Sequence, residues 1–311
     1  MLKISKNKLV LISLIAIIIL FLAVLLNKSD ETNNKETTLE KKTLNVSSFG
    51  ADGSDNIDDT SSVQHAIDYA YQEKIQIVYF PKGTYLIDAL KSIRLKSNIT
   101  VRFEDGTVLK ALPNASEGYQ LLAINDVKNV SLKGKVVIQG ERNEHKGTTG
   151  EWGIGISIRG SEDIRIENSI IRDNWGDGIY IGSSEKMNYS KNIEIINTEL
   201  SNNRRQGISV ISAINLEIIN AKIMNTNGTP PAYGIDLEPN SKKERLQGVK
   251  IINPYLKGNQ GGGILIFLKN LQSSTTPVDI KIVNQSGIYD EINVKETKNI
   301  NGHIQITNSK R

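Results

Sequence analysis

The sequence predicts an all-β fold, a right-handed single-stranded parallel β-helix with an N-terminal capping helix, preceded by one transmembrane or signal segment. Three observations predict it. A two-part strand phrase recurs through residues 155–284, its copies lie 23 to 33 residues apart, and an amphipathic segment lies N-terminal to them. Units of that size cannot bury an apolar face alone and must stack on one another.

The chain of 311 residues opens on Lys3, Lys6 and Lys8, followed by Leu9 to Leu26, which carry no charge and only Ser13 as a polar residue. That length matches the lower end of what spans a hydrocarbon core. Lysines before it and Asp30 and Glu31 after it place the N-terminus inside and the remainder outside. A cleaved signal peptide is the alternative, but Asn27-Lys28-Ser29-Asp30 offers no small-residue cleavage site, so residues 1–26 read as an uncleaved anchor. Residues 27–43 contain almost nothing apolar and read as a flexible tether. Residues 44–311 then form one β-helix domain outside the cell membrane, or secreted from it, expected as a monomer. The absence of cysteine excludes disulfides, thiolate metal sites and cysteine nucleophiles. A net charge of +4, much of it N-terminal, leaves no basic stripe for nucleic acid.

Residues 44–88 read as the cap. Asn45 to Phe49 is a strand, and Gly50 to Asn56 a polar loop. Asp58 or Asp59 starts a helix whose Val63, Ala66, Ile67 and Ala70 form an apolar stripe. A strand Ile75 to Phe80 and the turn Pro81-Lys82-Gly83 follow. The repeats come next. Their first half is apolar-x-apolar-x-Asn or close to it, beginning at Ile164, Ile193, Leu216, Val249 and Ile280 with spacings of 29, 23, 33 and 31. Their second half is Gly-apolar-x-apolar, beginning at Gly155, Gly178, Gly207, Gly234 and Gly263. Alternation at period two means strands with one buried face. The recurring Asn168, Asn197, Asn220, Asn253 and Asn284 are expected to bond coil to coil, satisfying buried turn groups. Extra residues at 182–192, 225–233 and 238–248 must be loops, because core strands cannot change length without losing register.

The segments FGADG, DDTSSVQHAIDYA and VYFPKGTYLI, together about 45 residues, resemble the N-terminal signature of the pectate lyase superfamily domain, also called the glycosyl hydrolase 28-related or epimerase-like pectate lyase domain. That resemblance implies a capped β-helix outside the cytoplasm and a polysaccharide substrate. Members include hydrolases, lyases, epimerases and tailspike-like proteins, so the reaction must be read from the site.

Aligning the coils by their Gly gives candidate ladders. Trp152, Trp175 and Arg204 share one position, read either as a sugar platform with Arg204 facing a carboxylate or as a buried aromatic stack. Glu151 and Asn174 beside them point to an edge that meets water. Asp177, Gln206 and Tyr233 share a second position. Ser157, Tyr180, Ser209 and Asp236 share a third, facing outward. Asp236 and Glu238, at i and i+2, are expected with Cβ atoms about 6.5–7 Å apart. That suits an inverting hydrolase, whose carboxyl groups stand about 6.5–9.5 Å apart. They could equally bind Ca²⁺ with Asn240, or be a solvated edge. Asp177 and Asp236 are expected about 14 Å apart at the backbone. The segment Asn174 to Ile179 resembles the N-T-D-G segment of polygalacturonase-type enzymes, which makes Asp177 catalytic by resemblance. Gln206 stands where those enzymes have His, and their paired Asp-Asp and R-I-K segments have no counterpart. Elimination or C5-epimerisation would need a cation to neutralise a uronate carboxylate and a base for the C5 proton. Arg204 and Arg205 could neutralise, and Asp177, Tyr180 or Tyr233 could exchange protons. His145, in a polar loop with Arg142, could overhang the groove or be solvated.

The expected function is therefore cleavage of an acidic, uronate-containing polysaccharide by acid/base hydrolysis or β-elimination. Asp177, Asp236 and Glu238 would be catalytic. Trp152, Trp175, Arg204, Arg205, Gln206, Tyr180, Tyr233, Glu151 and His145 would contact substrate. The sequence assigns no definite cofactor, although Ca²⁺ has a possible site. A non-catalytic glycan-binding or structural solenoid is the alternative from another class.

Overall fold

Residues 42–284 and 290–308 are described in the computed structural model of the chain. The apolar segment Leu9 to Leu26 and all but the last two residues of the tether 27–43 lie outside them. Among the described residues, no helix is long and apolar enough to cross a membrane.

The repeated phrases form parallel strands that add one to each of three sheets per turn of the chain. A 10-stranded first sheet runs from Thr43–Asn45 to Gly302–Asn308, and an 8-stranded second sheet from Ile93–Arg94 to Ile292–Lys295. A 7-stranded third sheet runs from Thr84–Ile87 to Tyr255–Lys257. One turn shows the path. Glu162–Glu167 lies in the first sheet, Ile170–Arg172 in the third and Ile179–Gly182 in the second; Ser190–Ile196 then pairs beside Glu162–Glu167. The register read from the sequence holds: Ile164, Ile193, Leu216, Val249 and Ile280 pair in succession, and all are buried. Each fully buried aliphatic side chain contributes roughly 1.5–3 kcal/mol, so the column itself stabilises a domain that has no disulfide.

The asparagine ladder exists, but its place differs from the expectation. Asn197 Nδ2 donates to Asn168 Oδ1 at 3.4 Å and Asn220 Nδ2 to Asn197 Oδ1 at 3.1 Å. These three side chains are exposed rather than buried. Their backbone explains the residue type: φ is +56°, +51° and +53°, a left-handed conformation that asparagine tolerates better than most residues. A second ladder, of Asp163, Asn192 and Asn215, runs up the other end of the same strands.

The cap helix α1, Thr60–Gln72, buries Val63, Ala66, Ile67 and Ala70 as its stripe requires. The strand expected over Asn45 to Phe49 lies earlier, at Thr43–Asn45; Asn45 Oδ1 accepts from Ser47 N at 2.9 Å, and residues Val46–Phe49 form a 3₁₀ helix instead. The two signature acids divide their work. Asp58 Oδ1 accepts from Thr60 N at 2.9 Å, while buried Asp59 accepts from Asp52 N and Leu86 N at 2.8 and 3.1 Å. Gly53 and Gly83 meet backbone to backbone, and a Cβ on either would lie 2.8 Å from the other's Cα. The two glycines of FGADG and PKG thus weld the cap loop to the first coil.

The insertions fall between strands, at 183–189, 225–232 and 238–245, and a fourth covers 140–151. That last one precedes the first counted Asn phrase, so spacing alone did not reveal it. Glu244 ties two of them together, accepting from Ser183 Oγ at 3.3 Å and from the backbone N–H groups of Ser241 (2.9 Å) and Asn240.

Candidate functional site

The outer face of the second sheet and the turns entering it hold most of the predicted residues. Ser157, Tyr180, Ser209, Asp236 and Leu265 pair in one row, as the coil alignment required. They point away from the aliphatic column, yet Ser157, Ser209 and Asp236 are buried beneath their neighbours. The row lies under a polar network.

That network brings together residues the sequence kept apart. Asp177 Oδ2 accepts from Ser209 Oγ at 2.8 Å, and Arg205 Nη1 donates to Asp177 Oδ2 at 3.2 Å. Arg205 also stands 3.4 Å from Glu151. Since Ser209 pairs directly with Asp236, the Asp177 side chain reaches one coil across the 14 Å expected between backbones. Gln206 bridges to the next coil: its Nε2 donates to Asp236 Oδ2 and its Oε1 accepts from Tyr233 N, both at 2.8 Å. Gln206, the departure from the polygalacturonase pattern, is therefore the residue that orients Asp236.

Asp236 and Glu238 stand on either side of buried Leu237. Burial, followed by the Glu238 charge, pushes the Asp236 pKa well above 3.8, because two carboxylates side by side cannot both ionise readily. Burial also raises Asp177, against the lowering effects of Arg205 and Ser209. Asp236 Oδ1 is buried with no hydrogen-bond partner among the described residues. Asp177 and Asp236 are 0% and 1% exposed, whereas Glu238 is half-buried and the Glu151 side chain is 33% exposed. The carboxyl groups that a polymer can touch are Glu238 and Glu151.

A raised acid favours the folded state below its unfolded pKa, and that stability is lost as pH rises through the folded value. Stability of the wild type is expected to fall as pH rises from about 4 through neutrality, because Asp236 gives up its proton in place. Asp236→Asn should flatten that slope. Denaturant unfolding across this range checks it, and an unchanged slope would count against a raised Asp236 pKa.

The tryptophan ladder is corrected. Trp175 is stacked on the His145 ring, with centroids 3.8 Å apart and planes at 14°, and Arg204 Cζ lies 3.9 Å from the same ring centre. Two groups so close cannot share a face, so the indole is sandwiched and closed to sugar. Arg204 donates to Gly150 O at 2.6 Å and Trp175 O at 3.4 Å, which leaves it serving the loop rather than a carboxylate. His145 is not solvated: its side chain is 1% exposed and its Nδ1 is 3.1 Å from both oxygens of buried Glu141. Asn174 is buried and bonded to Asn203 at 2.8 Å, so it does not mark a wet edge. Tyr233 is buried too, and its hydroxyl accepts from Asn293 Nδ2. Trp152, 51% exposed, remains as an open aromatic platform.

Sequence reasoning missed Glu141 and Arg159. Arg159 follows Ser157 by two, which places it on the outer face, and its guanidinium lies 3.8 Å from the centre of the Tyr180 ring. Among the described residues no group of three or more His, Asp or Glu side chains is arranged to hold a metal ion, and Asn240 is exposed with its N–H turned to Glu244. The calcium reading of Asp236, Glu238 and Asn240 has no such geometry behind it.

The sequence profile of the right handed beta helix region matches residues 122–309. The uncharacterized protein YclG of Bacillus subtilis is 30% identical over 258 residues, an alignment taking in 75% of this chain and 43% of that protein. The chain spans about two fifths of the length of the curated relatives it matches. The tailspike protein gp49 of Acinetobacter baumannii bacteriophage Fri1, a capsular polysaccharide depolymerase, superposes with a TM-score of 0.61 at 17% identity, covering 82% of this chain and 48% of that one. The Streptococcus pneumoniae surface adhesin PfbA gives 0.57 at 17% identity, covering 86% and 79%. At such identities these two likenesses concern the fold alone.

Proposed function

Because the chain belongs to the right handed beta helix family, whose fold carries both depolymerases and adhesins, we propose from its site that it is an exported enzyme cleaving an acidic polysaccharide by acid/base hydrolysis. The observation that carries this reading is the Glu238–Asp236 pair, the first half-buried and the second buried, with the Asp236 pKa raised by burial and by the Glu238 charge. Glu238 meets the glycosidic oxygen and delivers the proton that Asp236 shares, and Gln206 keeps Asp236 oriented. Glu151, the other open carboxylate, sits on Arg205 and takes the proton of the attacking water. Proton transfer by a positioned side chain accelerates such a step by about 10²–10⁴-fold. Trp152 stacks against a sugar ring at the rim. The proposed anchor at residues 9–26 would hold this face outside the membrane.

β-Elimination is less well supported by the geometry. Arg204 and Arg205, the cations that would neutralise a uronate carboxylate, are committed to backbone carbonyls and to Asp177 and Glu151. Incubation of the protein with uronate polymers, following reducing ends and the ultraviolet absorbance of unsaturated uronate together, separates the readings. New reducing ends without absorbance are expected. Absorbance would replace hydrolysis by elimination, and binding without either signal would leave a non-catalytic glycan-binding solenoid.

A further inference from the structure

We propose that Arg159, seated on the Tyr180 ring, is the residue that reads the negative charge of the polysaccharide, taking a sugar carboxylate about three coils away from the Glu238–Asp236 pair. This rests on the polysaccharide reading above and gives it a specificity determinant that neither Arg204 nor Arg205 can supply.

The geometry points to Arg159 by elimination and by construction. Arg204 and Arg205 are spoken for, and Arg142 is spent on Asn202 and Asn227. Arg159 is half-buried, donates from Nε to Ser157 Oγ at 3.1 Å, and has no carboxylate partner among the described residues. The hydroxyl bond and the ring beneath fix the guanidinium plane, so its remaining N–H groups are held in a fork suited to a planar carboxylate. Preorganisation of that kind spares the side-chain ordering that weakens an exposed lysine or arginine contact.

The surroundings agree. Arg159 lines a depression of about 380 Å³ with Asn125, Asp126 and the loop Ser183 to Lys186. The Asp126 carboxylate is already occupied, accepting from Ser184 Oγ at 2.6 Å and pairing with Lys186 at 3.7 Å, and the Glu185 side chain is exposed. Gly182, paired with Arg159 in the next coil, leaves room for the Tyr180 ring; a Cβ there would lie 2.7 Å from that ring. Ser157, two residues before Arg159, pairs with Tyr180, Tyr180 with Ser209 and Ser209 with Asp236, so three coil steps separate the two ends of the face, roughly 14 Å. An extended polymer laid across the coils can touch both.

The test is calorimetric titration of the full chain carrying Glu238→Gln, which removes turnover, with a galacturonate oligomer and with its methyl ester. The acid should bind at least about ten-fold more tightly than the ester, the value of one charged hydrogen-bonded contact. Arg159→Gln in the same background should abolish that difference, and Arg159→Lys should restore part of it. Thermal melting of each variant verifies that the fold persists. Equal affinity for acid and ester, a difference that survives Arg159→Gln, or binding of neither would overturn the assignment. The product assay on the wild type is independent of this: acid-selective binding without product would leave Arg159 standing and remove the enzyme reading.

Discussion

Glu238→Gln is expected to lower polysaccharide cleavage by about 10²–10⁴-fold, the contribution of one positioned acid or base, without weakening the fold. The amide keeps the size of the carboxyl group. It also removes the like charge that Asp236 meets on burial, so stability at neutral pH should hold or rise. Parallel measurement of initial rate and of denaturant unfolding distinguishes lost chemistry from lost structure. Full activity in Glu238→Gln would sink the assignment of the proton donor. The companion change Asp236→Asn leaves Glu238 open but without a shared proton, so the rate should fall more steeply at high pH than at low pH.

Asp177→Ala should behave in the opposite way, costing about 3–5 kcal/mol of stability, the usual consequence of removing one member of a buried ion pair. Asp177 is fully buried, Arg205 is 19% exposed at the side chain, and Ser209 Oγ would lose its acceptor. Glu151 still faces Arg205, which favours the lower end of that range. Replacing both partners by apolar residues, as in Asp177→Leu with Arg205→Met, should recover much of the loss, because no fully buried charge is left unpaired and Glu151, at 33% exposure, turns to solvent. Should Asp177→Ala instead abolish cleavage with less than about 1 kcal/mol of destabilisation, Asp177 would be a direct participant, as its N-T-D-G-like segment implied.

The contrast between these two residues shows how far local pattern reaches. Asp177 sits in the most motif-like segment of the chain, yet packing puts it beneath Arg205 and Ser209. Glu238 sits in no motif and becomes the open carboxylate. His145, Trp175 and Arg204 are 30 and 29 residues apart in sequence, and nothing in their spacing announces a sandwich. The loop at 140–151 must fold back over the coil to make it. Arg159 was legible in principle, since it stands two residues beyond Ser157 in a row already aligned. Its value emerged only once the other arginines were seen to be occupied.

Period-two alternation, recurring asparagines and a capping helix were sufficient to specify the coil, its register and its cap, because each depends on local backbone preference or on a repeat that must stack on itself. The chemistry of the outer face depends on something else. Whether a carboxyl group is open or buried, shared or paired, is set by side chains from three successive coils and by the loops that cover them, and the free energies that shift a proton are sums over those neighbours. The same face that alternation marked as outward-pointing therefore holds two acids beneath its surface and two upon it.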